Sequence, residues 1–424
     1  MIRFRKSTLR DRGALMELIE KGFAAEGNRV EISEGTEHRT LFSYLYSQTT
    51  WNPEWVWIAE EEGQILAAAG YFPQALTFEK QTLPVGAISP VVTLPTYRSQ
   101  GLARKCLSQM MSDLVRQGVS LVFLWGLPFY YPRLGFVPVL PRYKTKITVS
   151  HLMQNSPETN GSFRECQFED LSEIAELYQQ NQDHYFLQPV RTLKWWQERY
   201  REIGTDNVFI KEVPFPKKEN FLVWENTSGK ITGYLNYSSE YLNYFLQSDD
   251  HKVVMSESAA KDINSAEDMI KAFLNCLQTY QTLYIRGTPN HIMNTAAYLL
   301  GGTHIIPAPL AGMVKVLDWA TLLKNLTPLF CRRLAYLPHA VYGEIEWNID
   351  DLLIQLIIKD HSVKTLVNKG QNDLKIDQNR FFTRLLFGLY HSSELDTFQE
   401  EQAELLSILF PQKYPFIWDA NYLY

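Results

Sequence analysis

Cysteine is scarce in this 424-residue chain: Cys106, Cys166, Cys276 and Cys331 stand far apart. No two have Cys-x-x-Cys spacing, and none lies beside a histidine at metal-ligand spacing. Neither a zinc site nor a disulfide framework is expected, and the usage suits a reducing compartment. Long apolar runs are also missing. No stretch approaches the ~20 apolar residues of a membrane span. The start, MIRFRKSTLRDRG, carries charge without the apolar core of a signal peptide. A cytoplasmic protein with no membrane partner is expected. Low-complexity tracts and long charge runs are absent, as is any excess of positive charge. The 41 Lys and Arg against 47 Asp and Glu give a formal net charge of −6. Nucleic-acid binding requires a basic surface, so that class is set aside. Mild acidity suits a cationic substrate.

What is present is an ordinary globular composition with a generous 13% of aromatic residues, which suits large cores. At ~100–200 residues per domain the length allows two to four. Residues 9–27 carry Leu15, Met16, Ile19 and Phe23 at helical spacing. Residues 55–72 read as two strands joined at Glu62-Gly63. Residues 85–94 are a further β-prone run. Residues 101–118 are a helix with the stripe Leu102, Cys106, Met110 and Leu114, and Gly118 at its end. Residues 120–126, SLVFLWG, read as a central strand. The sum is an α/β unit over residues 1–148. A linker-like patch of Asn, Ser, Pro and Gly follows. The order then recurs over residues 149–305: a strand and helix near 168–182, a hairpin at Ser228-Gly229, a helix from 266, and the strand TLYIRG. This echo suggests a divergent internal duplication. Residues 306–424 read as an α+β unit of strands, including MVKVLD and EIEWNIDDLLIQLIIKD, and short helices.

The chemistry gathers at PTYRSQGLARK, residues 95–105, where a strand gives way to a helix. A helix N-terminus exposes unpaired N–H groups and partial positive charge. With Gly101 allowing close backbone approach and Arg98 adding a cation, it becomes an anion site. The alternative is a helix start that is merely basic. A second stretch, LPFYYPRLGFVPV, follows the apolar strand.

The pattern Arg98-x-x-Gly101-x-Ala103 between strand and helix resembles the pyrophosphate loop of the GCN5-related N-acetyltransferases. The resemblance implies acetyl-CoA as co-substrate and no metal. Its diphosphate would lie on the N–H groups of Ser99, Gln100, Gly101, Leu102 and Ala103. The pantetheine arm would pair with the strand at Val91, Val92 and Thr93, whose N–H groups would hold the oxyanion. It also implies a tyrosine that protonates the leaving thiolate. A phenol with a pKa near ~10 can deliver a proton to a thiolate of ~8.5. Tyr131 is the candidate and Tyr130 the runner-up.

The three units together, with YYPRLGF, a second unit lacking the Arg-x-x-Gly-x-Ala pattern, and KIDQNRFFTRLLFGLYHSSEL, resemble the enhanced intracellular survival protein family. The implied fold class is α/β and α+β: tandem acetyltransferase domains, the second degenerate, then a sterol-carrier-protein-like domain. The implied activity is N-acetylation of primary amines of a cationic small molecule such as an aminoglycoside, in a homo-oligomer, a hexamer. The carboxylate of Tyr424 would enter the first unit as the base; an α-carboxyl of pKa ~3.3–3.7 needs a raised value or a water relay for that task. Glu26, Glu31, Glu34 and Glu37 would supply an acidic pocket, and His38 matches an aromatic pocket position. Leu423 departs from an acidic residue found in the family. Trp195 and Trp196 read as core or interface residues. Two rival readings stand beside this one: acetylation of protein lysines or polyamines, and a non-catalytic acyl-CoA or lipid binder.

Overall fold

A computed structural model describes residues 1–24, 52–148, 159–181, 185–202, 221–238, 252–277, 282–305, 312–349, 352–370 and 378–417. The first stretch of chain forms β1 (Arg3–Lys6), α1 (Arg12–Ala24), β2 (Val56–Glu61), β3 (Gln64–Phe78), β4 (Gln81–Thr93), α2 (Leu102–Arg116), β5 (Leu121–Trp125) and β6 (Val137–Leu140). Next come β7 (Lys144–Thr148), β8 (Gly161–Glu165), α3 (Leu171–Asn181), β9 (Leu187–Pro189), α4 (Leu193–Glu202), β10 (Phe221–Asn226), β11 (Ile231–Ser238), β12 (Lys252–Ala260), α5 (Ile263–Cys276), β13 (Thr282–Arg286), α6 (Ile292–Leu299) and β14 (Thr303–Ile305). The remainder holds β15 (Gly312–Val316), α7 (Trp319–Ala335), β16 (Val341–Ile349), β17 (Leu352–Asp360), β18 (Ser362–Lys369), α8 (Gln378–Leu386) and α9 (Glu400–Leu409).

These strands build three sheets, ordered β1-β2-β3-β4-β5-β15-β6, β8-β10-β11-β12-β13-β7-β14 and β16-β17-β18, with β9 added to β3. The first two orders correspond strand for strand. A side-chain constellation repeats with them. Arg5 holds Asp11 at 2.7 and 2.9 Å and Glu60 at 2.5 Å. Arg164 holds Asp170 at 2.6 and 3.0 Å and Glu225 at 2.6 Å. In register, Arg5 opposes Ile58 and Arg164 opposes Val223, so each glutamate lies two residues beyond its arginine's partner. A recurring three-residue charge network at one register is the mark of tandem units of a single fold.

The sheets exchange strands. β15 lies between β5 and β6 of the first sheet, and β7 lies between β13 and β14 of the second. Residues 144–148 pair in the second sheet and residues 312–316 in the first, on either side of the boundaries expected at 148 and 306. Strand periodicity identifies a strand but not the sheet that takes it.

Alternation along β5 sets the layers. Val122 and Leu124 face α1 and α2, in a core with Leu15, Ile19, Cys106 and Met110. Leu121 and Phe123 face the opposite side, in a core continuous with α7, β16 and β17. Helices thus cover one face of the first sheet, and the third unit covers the other. Trp196 is buried against Phe221 and Tyr234, and Trp195 packs half-buried beside it, both in the second unit's core.

Candidate active site

The parallel pairing of β4 with β5 consists of Gly86 with Val122 and Ala87 with Phe123. β4 runs on to Thr93, still paired with β3 through Ala67 and Thr93. A one-residue register shift falls opposite, between Ala69–Val91 and Tyr71–Ile88. Such a bulge bends its strand and raises its twist. Past Ala87, then, no described strand pairs with the β5-facing edge of β4. The Leu94 N–H donates to Leu66 O of β3 at 2.9 Å. Alternation turns the peptide groups of Val91 and Thr93 the other way, toward the open edge. An extended ligand can add there as a strand would.

At the head of α2 the chain takes two left-handed residues, Ser99 (φ 64°) and Gly101 (φ 76°). Gly101 is the N-cap, with no side-chain hydrogen bond closing the helix start. The N–H groups of the first turn therefore remain for a ligand, with the positive end of the helix behind them. Ser99, Gln100 and Gly101 are exposed and Ala103 half-buried, whereas Leu102 and Val92 point into the core. Of the nearby cations, Lys105 Nζ lies over the Phe4 ring at 4.1 Å, facing β1. Arg98 Nη2 donates to Gly22 O at 2.7 Å. That bond ties the loop to the last turns of α1, where a cation is favourable. Gly22 is required at this contact: a Cβ there would stand 2.2 Å from Val92 Cγ2.

The segment after β5 supplies the phenols. Residues Tyr131–Leu134 form a short helix closed by Gly135 (φ 83°). The Tyr131 ring lies on the backbone at the end of β5: a Cβ on Gly126 would stand 2.3 Å from Tyr131 Cε2. It meets Phe136 edge-on at 5.7 Å and Tyr130 at 5.0 Å. Burial raises the Tyr130 phenol above its ordinary value, against the nearby charge of Arg104. The open strand edge thus ends β4, the uncapped helix start heads α2, and the two phenols follow β5, the strand that runs parallel to β4.

The second unit differs at each point. The N-cap of α5 is Asp262, whose carboxylate accepts from Ser265 N. A fixed anion there occupies the first turn and repels a phosphate. On β12, beyond its last pairing with β13 at Met255, Glu257 accepts from Arg191 at 2.6 and 3.0 Å and from the Tyr234 hydroxyl at 2.9 Å. The Arg191 guanidinium also lies over the Trp195 ring. A buried ion pair and its aromatic surround thus mark the stretch of β12 past its last pairing with β13. Among the described residues, no cluster of His, Cys, Asp and Glu could hold a metal ion, and no helix is long and apolar enough to cross a membrane.

The sequence of residues 3–154 matches the family model of the acetyltransferase (GNAT) domain. The first unit is a GNAT acetyltransferase domain. Solved structures share the architecture along nearly the whole chain. A protein of Enterococcus faecalis described as a probable N-acyltransferase is 16% identical, with 98% of this chain and 99% of that one covered and a TM-score of 0.69. A GCN5-related N-acetyltransferase from Anabaena variabilis is 14% identical over 99% of both chains, also at 0.69. Eis1 from Mycobacterium abscessus is 13% identical over 99% of both, at 0.62. No curated protein matches the sequence. At such identities the likeness is one of fold: the α/β GNAT fold with several sheets. A GNAT acetyltransferase domain is thus the first unit of a larger chain.

Of the expected site residues, Val91 and Thr93 lie on the stretch of β4 past its pairing with β5, Ser99, Gln100, Gly101 and Ala103 at the head of α2, and Tyr131 in the turn after β5, whereas Val92 and Leu102 are buried in the core and Arg98 is bonded to Gly22 O. Glu26, Glu31, Glu34, Glu37, His38, Leu423 and Tyr424 lie outside the described residues. Sequence reasoning missed the Gly22 contact, the use of Arg98 as an anchor, and Lys315, whose Nζ donates to Leu134 O at 2.6 Å. A lysine in the otherwise apolar run GMVKV was the one signal available for the last.

Proposed function

We propose that the chain transfers the acetyl group of acetyl-CoA to primary amines of a cationic small molecule, aminoglycosides included. One observation carries the reading: the unpaired edge of β4 past Ala87 opens beside the uncapped start of α2. An acyl-CoA has the matching parts, a diphosphate for the helix start and an amide-bearing arm for the strand edge. Val91 and Thr93 pair with the arm, and the N–H groups from Ser99 to Ala103 take the diphosphate. The amine nitrogen attacks the thioester carbonyl directly, so a C–N bond forms as the C–S bond breaks. Tyr131 gives its phenolic proton to the thiolate. The carboxylate of Tyr424 takes the proton that the amine loses.

The amine class rests on the mild acidity of the chain, on Glu26, His38 and the neighbouring glutamates, and on the family resemblance. The same resemblance extends the proposal to a hexamer, with a third unit of sterol-carrier-like fold whose role is structural. Thiol release from acetyl-CoA should be followed with an aminoglycoside, spermidine and a lysine peptide in turn. Fastest turnover with the aminoglycoside is expected. Preference for spermidine or the peptide selects the rival amine classes. Binding of acetyl-CoA without turnover on any amine selects a binding protein.

A further inference from the structure

We infer that Lys315, on the strand inserted from beyond the second unit, is a positioning residue for Tyr131. The inference rests on Tyr131 being the acid. β15 pairs with β5 on one side and β6 on the other, and Lys315 stands opposite Val122. Along this strand Val314 and Val316 face the third unit. Met313, fully buried, faces the α1–α2 core together with Val122 and Leu124. Alternation places the Lys315 side chain on that same apolar face. A half-buried ammonium in such surroundings is unfavourable unless it is hydrogen-bonded.

Its bond to Leu134 O satisfies that need. Leu134 is the last residue of the short helix that Tyr131 begins. The final carbonyls of a helix lack partners within it, and a cation there is favourable. Gly135 leaves room for the approach, since a Cβ on it would stand 3.3 Å from Lys315 Nζ. Local bonds set the shape of the turn: Gly135 N to Pro132 O at 3.1 Å and Phe136 N to Tyr131 O at 3.3 Å. Lys315 sets its place, because it references the turn to a strand paired on both edges. Tyr131 is held through its turn by this link and at its ring by contact with Gly126.

The test uses the full chain and four variants: Lys315→Met, Lys315→Arg, Tyr131→Phe, and Lys315→Met combined with Tyr131→Phe. Misplacing a reacting group by an ångström costs up to ~100-fold in rate. Lys315→Met should lower kcat ~10- to 100-fold while the KM for acetyl-CoA and the melting temperature stay near those of the parent. Lys315→Arg, which keeps a donor, should recover part of the loss. The double variant should be no slower than Tyr131→Phe, because a residue acting through the phenol has nothing to act on once it is gone. Parent-like turnover of Lys315→Met overturns the inference. So does a double variant slower than Tyr131→Phe by the full factor that Lys315→Met costs the parent. Full turnover of Tyr131→Phe overturns instead the acid assignment on which both rest.

Discussion

The Tyr131 ring occupies the space that a side chain on Gly126 would need, with Cε2 2.3 Å from the position of the missing Cβ. The glycine that follows β5 is therefore part of how the phenol is seated. Gly126→Ala must push the ring away. We expect kcat to fall ~10- to 100-fold, as for other ångström-scale misplacements, with acetyl-CoA affinity little changed. Steady-state rates beside calorimetric binding of acetyl-CoA check this; an equal loss in both would mean that Gly126 serves binding instead.

Gly101 poses the complementary case. Its φ of +76° is left-handed, yet nothing lies within 4 Å of where a Cβ would stand. Gly101→Ala meets no clash, only backbone strain of ~1–2 kcal/mol. Relief of that strain would turn the N–H groups at the head of α2. Acetyl-CoA affinity should fall several-fold while the turnover of bound substrate persists, measured by titration and saturating kinetics.

Gly22 is a matter of stability. A methyl group at this position would drive against Val92 Cγ2 at 2.2 Å, and both partners are held, Val92 by the sheet and Gly22 by the Arg98 bond. Overpacking of this kind costs ~1–3 kcal/mol. Gly22→Ala should lower the midpoint of denaturant unfolding; an unchanged midpoint would show that α1 shifts freely.

The motif at residues 95–105 was legible because it is local: strand, left-handed glycine and helix follow one another in the chain. The hairpins at Glu62-Gly63 and Ser228-Gly229 were legible for the same reason, each with a left-handed glycine. What was hidden depends on distant partners. MVKVLD reads correctly as a strand, but nothing in it names β5 and β6 as its neighbours. Arg98 reads as a phosphate ligand until Gly22 O is seen beside it. Asp262 reads as an ordinary helix cap until the uncapped Gly101 of the first unit is set against it. The helix Trp319–Ala335, which holds Pro328 inside it, is longer than the short helices expected of this unit.

Glu79 makes the pH dependence predictable. Its carboxyl is held by Arg333 at 3.0 Å, from α7, and by Lys413 at 2.8 Å. Burial acts to raise this carboxyl, but Arg333 and Lys413 outweigh it and hold the group below its ordinary value. A carboxyl lowered in the folded state stabilises fully above its unfolded value, and that contribution is lost as pH falls through the folded value. Glu79→Gln should therefore melt below the parent at neutral pH, by an amount that shrinks in acid. Melting curves across the carboxylate range test the sign; a gap that widens in acid would be the wrong one.

The strand exchange also fixes an order of manufacture. Chains emerge from the ribosome N-terminus first, and β15 follows the whole second unit. Until it arrives, the facing edges of β5 and β6 have no partner, and exposed strand edges invite pairing with other chains. The acetyltransferase domain is thus the first begun, yet its sheet closes only after the second unit has been made. A chain broken off anywhere between residues 155 and 311 contains the entire 3–154 family match and lacks the strand that joins β5 to β6.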